Sequence, residues 1–100
     1  MTFGRSRYSQ VADAQVDLFT REHADLLVRI SDLRAAYDRA DRDDAEEAFG
    51  DYTDAQALAA EILEEMRDHY ARTLDDGDDY IEAFNRAVKR RYPAIAAELD

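Results

Sequence analysis

One hundred residues, 46% hydrophobic and 37% charged, fit one small globular unit rather than a disordered or membrane-embedded chain. The absence of Cys excludes a disulfide framework, a thiolate zinc site, an iron–sulfur cluster and a thiol nucleophile. Twenty-four acidic residues against thirteen basic ones leave a net charge of −11, which argues against nucleic acid and anionic membrane surfaces as ligands.

From Ser9 to Phe49 there is neither Gly nor Pro. Val16, Phe19, Leu26, Ile30, Leu33, Tyr37 and Ala40 recur there at three- and four-residue steps, with His23 on the same stripe. This spacing predicts an amphipathic helix over 9–49 after a tail over 1–8. Ser9 reads as its N-cap, Thr20 would cap a new segment if the helix breaks near residue 20, and Arg42 marks a second break point. Gly50 then reads as a C-terminal cap, and Thr53 with Gln56 as a capping box that opens a second helix over 54–74. Its expected inward stripe is Ala55, Leu58, Ala59, Ile62, Met66, His69 and Thr73, with Leu63, Tyr70 and Leu74 beside it.

Asp75-Asp76-Gly77-Asp78-Asp79 ends that helix, and the Asp residues after Gly77 suit the positive end of a third helix over 79–92. Tyr80, Ile81, Phe84, Ala87 and Val88 are its apolar side. Lys89, Arg90 and Arg91 complement its carbonyl end, and Pro93 stops it before a short turn over 94–99. No strand-like alternation occurs. The expected fold is all-α: a long antiparallel helical hairpin plus a shorter third helix, in a three- to four-helix bundle. At 1.5 Å per residue the third helix, about 20 Å long, is too short to cover the hairpin. Leu33, Tyr37, Phe49, Tyr52, Leu58 and Ile62 are therefore the expected interface, covered by a second copy in a homodimer or by a larger protein.

Chemistry-bearing residues are few. If the hairpin pivots near Glu46, His23 faces His69 with Glu65 one turn away, and two imidazoles and a carboxylate could hold a metal. If it pivots near Asp51, as a cap at Gly50 favours, they separate. The Glu-x-x-His spacing of bundle metal sites is also missed, because Met66 stands three residues before His69. No metal or cofactor is therefore expected. A calcium loop centred on Gly77 would need ligands where Arg72, Leu74 and Ala83 stand. The acidic residues bunch: eight against two basic between 38 and 54, and five against none between 75 and 82. These are turn regions rather than a phosphate-like row. Lys89-Arg90-Arg91-Tyr92 is a basic patch for an acidic surface, or simply a helix-end charge complement. No nucleophile motif, phosphate loop or carboxylate cleft is visible, so no enzyme is expected.

Met1-Thr2-Phe3-Gly4-Arg5 lacks the apolar stretch of a secretory leader, which makes the cytoplasm the expected location. The leading functional expectation is a small acidic interaction module, an accessory subunit, adaptor or regulator working through an apolar, Tyr-rich helical face. Two others stand beside it: a histidine and carboxylate metal bundle formed across a dimer, and an acidic nucleic-acid-mimicking inhibitor of a basic protein.

Overall fold

The computed structural model describes residues 7–100. They form five helices: α1 (Ser9–Glu22), α2 (Ala24–Arg39), α3 (Ala45–Ala71), α4 (Gly77–Arg91) and α5 (Pro93–Ala96), with no strand among the described residues. Of the expected tail only Arg7 and Tyr8 are described. Residues 1–6, and with them the leader reading of the first five, lie outside the described residues.

The expected single helix over 9–49 is divided twice. The first division is at His23, although its backbone N–H still reaches the Phe19 carbonyl at 2.9 Å and its carbonyl accepts from Leu27 at 3.1 Å. The main chain bends there without Gly or Pro. Thr20 does not cap the new segment. Its hydroxyl donates back to the Val16 carbonyl at 3.1 Å and meets the Tyr92 hydroxyl, and such back-bonding bends helices. The second division is the loop over 40–44, where Ala40 is extended and the Asp44 N–H donates to the Asp41 carboxylate at 3.1 Å. An Asp side chain closes this turn in place of Gly or Pro.

The helix expected to begin at 54 begins at Ala45 and runs unbroken for 27 residues. Gly50 is therefore not a C-cap, and Thr53 does not open a capping box; its hydroxyl donates to the Gly50 carbonyl at 3.1 Å. Both residues sit inside a helix held by the pairing of its own face with α2. The α3–α4 boundary falls where expected, with α4 starting at Gly77, two residues before position 79, and Asp78 and Asp79 in its first turn. Pro93 occupies the start of α5.

Side-chain pairs give the layout. Tyr8 meets Tyr80 and Asp76 beside the N-terminal ends of α1 and α4, while Phe19 and Thr20 meet Tyr92 at the other end, so α1 and α4 run in the same direction. Rings of Tyr70 and Tyr80 lie 4.7 Å apart, and Arg67 reaches Asn85, so α3 runs antiparallel to α4. The core is built from Val16 and Phe19 of α1, Leu63 of α3, Tyr80, Phe84 and Val88 of α4, and Ile95 of α5, interleaved with alanines. As expected, α3 turns Ala55, Ala59 and Leu63 inward; against expectation it also buries Gln56, Ala60, Arg67 and Ala71 and leaves Leu58, His69 and Thr73 exposed. Small alanines admit close helix approach. The buried Arg67 guanidinium is satisfied by Asp68 at 2.8 Å, Asn85 at 3.1 Å and the main-chain oxygen of Asp100 at 3.1 Å.

The core lies at one end. α2 contains no fully buried residue, and it pairs with the first half of α3 as an arm that α4 does not reach. The molecule measures 54 × 26 × 22 Å, with a radius of gyration of 15.6 Å, against about 13 Å for a compact chain of this length.

Candidate functional site

Pairing of α2 with α3 is centred near residue 43: the Tyr37 and Phe49 rings lie 5.2 Å apart, and the Arg34 guanidinium sits 5.7 Å from the Tyr52 ring centre. The pivot is thus near neither Asp51 nor Glu46, because the turn is made by Asp41 ahead of both. Leu33, Tyr37 and Tyr52 are half-buried on the arm, and Phe49 is 48% exposed. Leu58, also 48% exposed, and the half-buried Ile62 lie elsewhere, on the outer face of α3 beside Met66 and His69 along an open depression. The six expected interface residues therefore occupy two faces rather than one. Val28 of α2, at 60%, is the most exposed large apolar side chain among the described residues, and the periodicity had not singled it out.

A groove of about 370 Å³ opens where the arm meets the α4–α5 corner. α2 contributes Leu27, Ile30, Ser31 and Arg34, α3 contributes Tyr52 and Gln56, and the corner contributes Tyr92 to Ile95. Its walls are predominantly apolar. Gln56 is only 5% exposed; the buried side-chain group left without a partner among the described residues is the Tyr80 hydroxyl, not the Gln56 carboxamide. At the rim Arg34 donates to Asp38 at 3.1 Å. The Tyr52 hydroxyl first, and Asp38 second, hold its guanidinium charged more firmly than usual. Sequence reasoning missed this groove. Gln56 reads as a helix-cap partner, and the approach of Pro93 and Ile95 to α2 is a tertiary event with no local signature.

His23 stacks on Phe19, with ring centres 5.3 Å apart, at the α1–α2 bend. With pairing centred near residue 43 it lies level with Leu63, six residues and about 9 Å along α3 from His69. Glu65 and His69 are exposed on the outer face. Among the described residues no group of three or more His, Asp or Glu is placed to hold a metal ion. Two residues of the exposed basic patch make ion pairs on the surface, Arg90 with Asp13 at 2.8 Å and Arg91 with Asp17, fastening α4 to α1. Asp41, Asp43, Asp44, Glu46 and Glu47 are exposed around the tip of the arm.

At the opposite end the Tyr8 hydroxyl donates to Asp76. This bond, ahead of the nearby Arg7, lowers the Asp76 carboxyl below its ordinary value and raises the Tyr8 phenol. The Tyr80 hydroxyl is sealed in the core without a partner among the described residues, and burial pushes its pKa well up. Among the described residues no helix is long and apolar enough to cross a membrane. No family model, curated protein or solved structure matches this chain.

Proposed function

We propose that this chain is a cytoplasmic protein-interaction module whose helical arm docks on a second protein surface, either another copy or a larger protein. One observation carries the reading: about a third of the molecule is a two-helix arm that leaves Val28 and Phe49 about half-exposed or more, with Leu58 equally exposed on the outer face of α3, and two helices alone bury too little for their length. Tyr37, Tyr52 and Arg34 beside them are residue types enriched at binding hot spots. Acidic residues ring the tip, so the complementary surface has an apolar centre and a neutral or basic rim.

A photo-reactive residue placed at position 49, with one at the exposed Glu82 of α4 as control, tests the arm directly. The expected result is covalent adducts, with itself or a foreign protein, from position 49 and not from 82, weakened by Leu58→Asp or Val28→Asp. A chain that is monomeric at every concentration by light scattering, with no adduct above the control, overturns the reading.

A further inference from the structure

The outer face of α3 is a second unpartnered surface, and its charge marks what it would receive. Leu58, Ile62 and Met66 stand four residues apart and so form one row along the helix, about 12 Å long. Leu58 is 48% exposed, Ile62 and Met66 are half-buried at the edge of the core, and the row runs along an open depression of about 850 Å³. Glu61 and Glu65 line its solvent side, and Asp51 and Asp54 stand beyond Leu58. All four carboxylates are exposed, and none enters an ion pair among the described residues. Against them stand Arg29 at one end and Arg72 at the other, so the rim is negative.

We propose that this face docks a basic amphipathic helix of a partner protein, its apolar side laid on Leu58, Ile62 and Met66 and its cations beside Glu61 and Glu65. Backbone and charge together select that occupant. α3 runs unbroken through the face, so its main chain is closed by its own hydrogen bonds and an extended segment would gain no main-chain pairing there. A helix brings its own backbone already satisfied and offers the ridges that fit a row of four-residue spacing. The rim carboxylates attract cations and turn away an anionic surface. They also turn away a second copy. Antiparallel pairing about Ile62 sets Glu61 and Glu65 beside the same carboxylates of the other α3, and parallel pairing sets each carboxylate beside itself, so both bring like charges together. The face is separate from Val28 and Phe49 of the arm, and the proposal rests on the interaction-module reading only in taking its occupant from a protein.

The test titrates the full chain, followed by NMR, with a blocked peptide made of two copies of Leu-Lys-Lys-Leu-Leu-Lys-Leu, whose Leu side chains fall on one side of a helix. Saturable shifts of the Leu58 and Ile62 methyl signals are expected. Glu61→Lys with Glu65→Lys, both at exposed positions, should weaken binding about tenfold. Glu46→Lys with Glu47→Lys changes the net charge equally at the tip of the arm, about 20 Å away along α3 and beyond the screening length of about 10 Å at 0.1 M salt; it should leave binding unchanged. A peptide of the same length in which Leu and Lys alternate, and which is therefore one-sided only as a strand, should bind about tenfold more weakly. The proposal is overturned if the methyl signals stay still, if the alternating peptide binds as well, if the tip variant weakens binding as much as the rim variant, or if the same signals move when the chain is concentrated alone, which would make the face a contact between copies. Val28→Asp, which weakens adducts from position 49, should leave peptide binding unchanged. Adducts from position 49 without peptide binding would sink the α3 face alone, and peptide binding without adducts would sink the arm reading alone.

Discussion

Two glycines show how one residue type takes opposite roles. Gly50 sits inside α3, and a Cβ added there meets nothing within 4 Å. Gly50→Ala should therefore raise stability by about 0.5–1 kcal/mol, the helix-propensity difference, read as a higher urea midpoint with an unchanged slope. A Cβ at Gly77 would fall 2.6 Å from the Ala71 carbonyl oxygen, so Gly77→Ala must displace backbone at the α3–α4 turn and should destabilise by about 1–3 kcal/mol. Tyr80 is the residue whose titration bears on stability. Its folded pKa lies above the ordinary value because burial disfavours the phenolate, so its contribution is complete below about pH 10. That contribution is lost as pH rises further, since the unfolded chain then releases the proton that the folded one keeps. Tyr80→Phe should leave stability at pH 7 unchanged or raise it by up to about 1 kcal/mol, because an unpaired hydroxyl is removed. It should also flatten the decline between pH 10 and 12; a large loss in urea unfolding at pH 7 would contradict this account of the core.

At the scale of elements, the helices were legible where apolar spacing and Pro93 marked them, and illegible where side chains made the boundary. The α1–α2 bend depends on the Thr20 hydroxyl reaching Val16 and Tyr92, and the arm's turn on the Asp41 carboxylate. Neither is visible as Gly or Pro. Thr20→Val should cost about 1 kcal/mol by removing both bonds, while Asp13→Asn, which deletes an ion pair exposed on both sides, should cost less than about 0.5 kcal/mol. A reversal of that order in urea unfolding would mean that charge rather than the Thr20 hydroxyl fastens α1 to α4. Gly50 and Thr53 misled because their cap chemistry is local, whereas the pairing of Tyr37 with Phe49 and Arg34 with Tyr52 keeps the helix going through them. α3 also presents a face with Gln56 and Arg67 inward; sequence patterning assigns polar residues to water, and only the partners Asn85 and Asp100 reverse that for Arg67.

At the scale of the whole molecule, burial is concentrated among α1, α4, α5 and the second half of α3, and α2 contributes no fully buried residue. Local opening should follow that division: amides of α2 should exchange with solvent well before those of α4 in native-state hydrogen exchange, and equal protection would mean that the arm shares the core's cooperativity. Docking of a second chain should slow exchange in α2 first. Composition and apolar periodicity by themselves determined that the chain is all-helical, that helices end near Asp75 and Pro93, and that the aromatic residues of α4 face inward, because those properties come from intervals of three or four residues along the chain. Tertiary structure alone decided how far α2 pairs along α3, which further residues of α3 are buried, that Arg90 and Arg91 of the basic patch pair with Asp13 and Asp17, and that Gln56 lies in an apolar groove. Each of those depends on contacts between residues 12 or more apart, whose energies are set by the geometry of approach and leave no periodic mark in the sequence.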